Sequence, residues 1–408
     1  MWFTIKLAWR NLFRNKRRTF IAGTAIALGL ASMMFTDAVM IGMKDVMIRS
    51  ATGSFLGDAQ IHRNEFRLTQ EVEKTINNPD RITANLQKEE IVDRFTPRTL
   101  SFGMITSPAN VSSVLFIGID PETEKYLSQI DDVIREGNFF DEDNERDIVI
   151  GSKLADILEI GLGERVVITV SQAKSGDLSQ EMFRVSGIYH FNIKEMDSGF
   201  ALVKLAKAQE MLGIGSNVHE IAIKFRDMKV SLQEDNPFWT KYSTDDNEAV
   251  SWLTILPQMG PILGMFWISL LFMAIILFGI VAFGIINTLF MSLYERLFEF
   301  GVLRAVGTRS SGVRRLIIYE AGALAVLSCL MGIILGFIFI FIVTKTGIDY
   351  RGIEITGTTI RDILYPVFHI QQFIIYPVAV FVFTMLIGHY PAIVAGRMSI
   401  SNALRKSL

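Results

Sequence analysis

Residues 295–307 (ERLFEFGVLRAVG) hold the side chains best placed for a task, with four charges in thirteen positions between two long apolar runs. At helical spacing, Glu295 and Glu299 are i,i+4 neighbours on one face, while Phe298, Val302 and Ala305 share another. Gly301 in the middle of a helix costs about 1 kcal/mol against alanine, which suits close approach to a partner. Gly307 and Thr308 suit the exit turn. Spacing alone also fits a solvated helix at a lipid headgroup surface.

Other candidate groups are poorer. Asp141, Glu142 and Asp143, with Glu145 and Asp147, offer carboxylates for Ca²⁺ but lack the glycine and twelve-residue register of an EF-hand, so a solvated turn is expected. Gly161–Gly163 and Gly213–Gly215 are turns without dinucleotide-binding spacing. No phosphate-binding P-loop pattern occurs, so no nucleotide is expected on this chain. His389 has no second ligand at metal spacing, and no metal is expected. Nothing sets up a Ser-His-Asp or Cys-His group, so no catalytic residue is expected and the chain reads as a non-enzyme. The single cysteine, Cys329, excludes an intrachain disulfide.

The surrounding elements read as membrane spans. Half of the 408 residues are hydrophobic and phenylalanine alone counts 30. Residues 1–18 mix apolar side chains with six cations and no acid, a basic amphipathic segment. Residues 20–43 are too long for a cleaved signal core and long enough to span. Asp37 falls near the far interface of that span, where a carboxylate costs little. Residues 45–260 carry 22 Lys+Arg against 35 Asp+Glu and no further span. Alternation there predicts strands at 114–119, 146–150, 165–170, 182–189, 200–203 and 219–225. Helices are expected at 152–158, 205–212 and 65–86, the last broken near Pro79.

The expected division begins with a cytoplasmic segment 1–18, a first span 19–43 and an extracytoplasmic α+β domain 44–259. A second span 260–292, a cytoplasmic charged segment 293–315 and a third span 316–344 follow. An outer loop 345–372, a fourth span 373–394 and a cytoplasmic tail 395–408 complete it. The positive-inside rule supports this topology, because the cation-rich segments all fall on one side, with both termini inside. The fold class is thus an α-helical integral membrane protein with four transmembrane helices and a large outer domain between the first two.

Glu295-Arg296, Glu299-Phe300-Gly301, Leu303-Arg304-Ala305 and Gly307 resemble the coupling-helix signature of the MacB/FtsX/LolC–LolE class of ABC-transporter permeases. The outer domain resembles that family too, through Ile150-Gly151, Leu154-Ala155, Leu158, Gly163, Val185, Gly187-Ile188, Asp197-Ser198-Gly199-Phe200, Leu205 and Ala208-Gln209. The tail at 390–405 is similar to the family's ending, with Ser399 and Ile400 in place of its Asp-Pro; Ser399 still suits a helix cap. The resemblance implies that Glu295, Arg296, Glu299, Phe300, Gly301, Arg304, Ala305 and Gly307 dock on an ABC ATPase subunit. It further implies two ATPase copies that bind ATP and Mg, a second permease as paralogue or self, and a Porter/Sabre-like outer domain. No nucleic-acid partner is expected.

With four spans, an outer domain of this size and no fused ATPase, the chain looks most like the LolC/LolE lipoprotein-releasing permeases of the bacterial inner membrane. These extract lipoproteins for a periplasmic carrier; MacB-like export or FtsX-like activation of a cell-wall hydrolase is the alternative. The loop 171–180 stands where that family's carrier-recruiting hook lies, making Ser171, Lys174 and Asp177 candidate carrier contacts; it is shorter and lacks proline. Methionine adapts to irregular apolar shapes. Met33, Met40 and Met43, with Phe266 and Met273, are therefore candidate contacts for a lipidated substrate entering sideways from the outer leaflet.

Overall fold

The computed structural model describes residues 2–14, 16–140, 144–191, 193–350, 354–355, 358–359 and 363–397. In chain order, α1 (Trp2–Leu12) and α2 (Lys16–Ala51) precede α3 (Ser152–Leu158), α4 (Lys194–Gly199) and α5 (Leu205–Leu212). Then come α6 (Met259–Glu295), α7 (Leu297–Ala305), α8 (Ser310–Thr346) and α9 (Gln372–Arg397), and shorter helical turns lie between. The described residues divide into two units, one from Met1–Asp45, Ile262–Asp349 and Ile363–Leu408, the other from Val46–Pro261 and Tyr350–Asp362.

In the first unit, α2, α6, α8 and α9 are long and apolar enough to cross a membrane. Each helix overruns its expected span because helical structure continues past the hydrocarbon: α2 carries Lys44, Asp45 and Arg49 in its last turns. Packing between α2 and α8 rests on Gly332 and Gly336. A Cβ at Gly332 would lie 2.8 Å from Leu30 and 3.1 Å from the Ala27 carbonyl, and one at Gly336 would lie 3.3 Å from the Met34 sulfur. Small residues at four-residue spacing let two backbones approach where no hydrophobic effect drives association. Along α6 only 17% of the most apolar window is buried, so most of that helix faces outward.

The second unit is built on one ten-stranded sheet. Its strands are β1 (Ala59–Arg63), β2 (Val92–Thr106), β3 (Val111–Ile119), β4 (Ile134–Gly137) and β5 (Asp147–Gly151). β6 (Arg165–Ser171), β7 (Leu178–Tyr189), β8 (Phe200–Lys204), β9 (Glu220–Phe225) and β10 (Asn247–Ser251) follow. The order is β10-β1-β9-β2-β3-β8-β5-β7-β4, with β6 bridging β2 and β7. Helices α3 and α5 cover the face that buries Ile105, Phe116, Ile168 and Phe183.

All six strands expected from alternation form, and α3 and α5 match their expected bounds. β1, β2, β4 and β10 were not legible. β1 turns Gln60 and His62 inward, and β10 buries Asn247, so polar residues occupy core positions. β2 contains Pro97, which is tolerated because β3 pairs with β2 only from Arg98 onward. The expected helix over 65–86 is a correction. Only Phe66–Thr69 and Pro79–Leu86 are helical, because Glu65, Gln70 and Asn78 adopt left-handed φ of 61°, 49° and 53°. Between them the chain bonds to its neighbours instead, with Ile76 N donating to the Val218 carbonyl.

Arg98 is the charged centre of this unit. It bonds Glu124 twice, at 2.6 and 2.9 Å, and Glu220 at 2.6 Å, all three being at most 5% exposed. Its guanidinium lies 3.7 Å from the centroid of the Phe55 ring. Burial works against the charge, but the two glutamates outweigh it and hold the Arg98 pKa above its ordinary value.

Candidate coupling site

Helix α6 ends at Glu295, and Arg296 leaves helical geometry at φ −111°, ψ 17° before α7 begins. The expected i,i+4 relation between Glu295 and Glu299 is therefore broken. The cause is the Arg296 side chain, which turns inward and is buried. Its Nη1 donates to Glu320 Oε1 of α8 at 2.5 Å and its Nε to Glu299 Oε2 of α7 at 3.0 Å. The guanidinium also stands 4.9 Å from the centroid of the buried Phe300 ring.

Helix α1 closes the network from the other side. Asn11 Nδ2 donates to the same Glu320 oxygen at 2.8 Å, and Arg14 Nη1 donates to Glu299 Oε1 at 2.8 Å. Burial alone would lower the Arg296 pKa, yet Glu320 and Glu299 raise it above its usual value. For Glu299, burial would raise the pKa, but the hydrogen bonds from Arg296 and Arg14 outweigh it and hold the carboxylate below its usual range. Both shifts favour the charged forms of Arg296 and Glu299. Removing one partner of such a buried pair typically costs about 3–5 kcal/mol, since the other charge is left without compensation.

The inward and outward faces of α7 differ. Arg296, Phe300 and Gly301 are buried within this chain and Arg304 is half-buried, with Nη1 3.3 Å from the Gly396 carbonyl. Phe298, Val302 and Val306 are exposed, Val306 by 82%, and so are Glu295, Glu299, Ala305 and Gly307. Gly307 adopts φ 105°, and Thr308 N bonds back to the Leu303 carbonyl, as the exit turn requires. Of the expected docking residues, Arg296, Phe300 and Gly301 thus hold the helix in place, while the open face is largely apolar. Asn11, Arg14 and Glu320 were missed. Glu320 as the lone acid in an apolar run was the available signal, because such a charge needs a partner.

Elsewhere, the 171–180 loop is a tight hairpin. Gln172 N bonds to the Asp177 carbonyl and Gly176 N to the Gln172 carbonyl, while Ala173 N is tied to the Leu212 carbonyl of α5. Ser171 is half-buried; Lys174 and Asp177 are exposed. Among the candidate substrate contacts, Met33 is buried in the helix core and does not reach the surface. Met40, Met43, Phe266 and Met273 are half-buried, whereas Met265, Trp267 and Phe272 stand open.

One constellation had no sequence signal. Ser152 Oγ lies 2.8 Å from His190 Nδ1, and the buried Asp197 Oδ2 lies 3.1 Å from that same nitrogen. A proton relay needs the two ring nitrogens to face opposite partners. With both partners on Nδ1, and Asp197 also accepting from Phe191 N at 2.6 Å, the group anchors α4 beside β7. Among the described residues no three His, Cys, Asp or Glu side chains gather as metal ligands. Asp141, Glu142 and Asp143, and the tail with Ser399 and Ile400, lie outside the described residues. His389 is exposed, its Nδ1 2.8 Å from the Met385 carbonyl of its own helix.

Two family models match the chain. Residues 19–233 match the family model of the MacB-like periplasmic core domain, and residues 264–400 that of the FtsX-like permease C-terminal part. The lipoprotein-releasing system transmembrane protein LolE of Haemophilus influenzae is 22% identical over 357 residues, 81% of each chain. The corresponding LolC of Neisseria meningitidis is 21% identical over 352 residues, covering 81% of this chain and 80% of that one. The solved periplasmic region of MacB from Actinobacillus actinomycetemcomitans is similar at 17% identity, covering 52% of this chain and 95% of that one, with a TM-score of 0.34. With its four apolar helices and its periplasmic core domain, this chain is a multi-pass inner-membrane protein and belongs to the MacB/FtsX/LolC–LolE class of ABC-transporter permeases.

Proposed function

We propose that this permease couples ATP hydrolysis by a separate ATPase to extraction of lipoproteins from the inner membrane, for transfer to a periplasmic carrier. The observation that carries the reading is the two-sided α7, with Phe298, Val302 and Val306 open to a partner and Arg296 bonded inward to Glu320. A push on the open face reaches α8 and α1 through charged hydrogen bonds that are costly to break. ATP and Mg are bound by the ATPase, two copies serving a pair of permeases, whether a second copy of this chain or a paralogue. The cation-rich segments, including both termini, face the cytoplasm.

Lipoprotein as the substrate is supported by the relatives named for lipoprotein release. A lipidated protein resists leaving the membrane by about 0.8 kcal/mol per buried CH₂, so its extraction needs an external energy source. The test is affinity purification of the full chain in mild detergent, followed by mass spectrometry of protein and lipidated partners. An ATPase and diacylated or triacylated proteins are expected. An ATPase with a cell-wall hydrolase and no lipidated protein would overturn the substrate assignment.

A further inference from the structure

A cavity of about 360 Å³ opens in the second unit beside the π-helical turn Thr52–Leu56. Its lining includes Ala51, the last residue of α2, and Met259, the first residue of α6. These are the points where the chain leaves one membrane-length helix and enters the next. The walls are mainly apolar, with Phe55, Met196, Phe200 and Leu256 prominent.

Two features make this a built chamber rather than a packing gap. A π-turn is a rare departure from α geometry that recurs at functional sites. Here it ends at Gly57, whose φ of 73° and 2.8 Å gap between an added Cβ and the Ile223 carbonyl admit only glycine without adjustment. The π-turn also places Phe55 edge-on to Phe200, ring centroids 5.7 Å apart, with its face on the buried Arg98 guanidinium. That floor is fixed by the Arg98–Glu124–Glu220 pairs. The lining also carries Met196, a side chain that adapts to the shape of an apolar guest.

Charge selects the guest. Glu195 and Gln258 are the exposed polar residues of the lining, and no lysine, arginine or histidine is among the described lining residues. A free fatty acid would bring its carboxylate to a site with an acid and no base. An esterified or amide-linked chain brings carbonyl oxygens that the Gln258 amide can donate to. The volume falls at the low end of the range for ligand sites, about 300–1,000 Å³, which suits one chain rather than several.

We propose that this cavity receives one esterified acyl chain of an amphiphile as it passes from the outer leaflet. The inference deepens the transport reading, yet it holds for a phospholipid or for a triacylated protein alike. The test uses the full chain in vesicles of phosphatidylethanolamine and phosphatidylglycerol. One arm carries phosphatidylethanolamine with a diazirine in one acyl chain, the other a triacylated lipopeptide with the same group. After irradiation, adducts are mapped by mass spectrometry.

Labelling of Met196, Phe200 or Leu256 is expected, and the arm that labels more strongly identifies the source. Ala51→Phe fills the cavity, and Gln258→Trp narrows its mouth without touching a buried position. Displacing about two CH₂ groups from the cavity corresponds to about a tenfold loss of labelling. Adducts confined to α6 in both arms, or cavity adducts that neither variant reduces, would overturn the assignment. Failure of the lipoprotein reading is separate: no lipidated protein would copurify, while the phospholipid probe would still label the cavity.

Discussion

Arg296 and Glu320, 24 residues apart, are joined by a 2.5 Å hydrogen bond between two side chains each less than 10% exposed. One sits at the break between α6 and α7, the other about three turns into α8. Arg296→Ala leaves Glu320 buried without its cation and is expected to destabilise the full chain by about 3–5 kcal/mol. Arg296→Met with Glu320→Leu removes both charges and should recover most of that loss. Thermal unfolding in detergent decides it; a double variant as unstable as the single would show that the loss does not come from an uncompensated Glu320 charge.

Val306→Glu places a charge on the exposed apolar residue that caps the C-terminal end of α7. Stability should stay within about 0.5 kcal/mol of wild type, as for other surface changes. Copurification of the ATPase should fall by about tenfold or more, the effect of 1.4 kcal/mol at an interface. Unchanged copurification would remove this face from the docking surface.

Glu299→Arg combined with Arg304→Glu sets a third cation against Arg14 and Arg296. ATP hydrolysis is expected to persist while transport is lost, with the second unit still folded. Wild-type coupling in this variant would contradict the role given to α7.

In the second unit, burial and then the nearby Arg67 push the His62 pKa down to about 3. Its Nδ1 is buried with no hydrogen-bond partner. The unfolded histidine titrates near 6.5, so as pH falls below that value the unfolded chain takes the proton first. This contribution to stability is complete above about pH 6.5 and is lost progressively towards pH 3, at up to about 1.4 kcal/mol per pH unit. His219, lowered by burial, acts in the same direction. Glu220, raised chiefly by burial, is protonated first in the folded state and acts oppositely at the acid end. His62→Gln should flatten the stability profile between pH 6.5 and 5; an unaltered slope would mean that the ring is not held neutral.

What the sequence made legible follows from where periodicity and chemistry coincide. The six expected strands, α3 and α5 have apolar residues at the period of their own geometry, and the four spans are apolar runs of membrane length, so local sequence exposes them. β1 hides because Gln60 and His62 bring polar side chains, bonded to each other, into core positions, and β10 because Asn247 finds its partner Asn77 only once the chain has folded. The coupling segment was visible as a charged island, but its internal division was not. That Arg296 faces inward depends on Glu320, on the far side of an exit turn and a helix start. Ser152, His190 and Asp197 meet through the pairing of β5 with β7, a relation no local spacing carries.

The most direct test of lipoprotein extraction is release from reconstituted vesicles. The full chain, its copurified ATPase and a triacylated lipoprotein are placed in proteoliposomes, and soluble carrier-bound lipoprotein is measured after addition of ATP and Mg. ATP-dependent release is expected from wild type and not from the Glu299→Arg, Arg304→Glu variant. Hydrolysis that proceeds in wild type with the lipoprotein still in the membrane would contradict the proposed function.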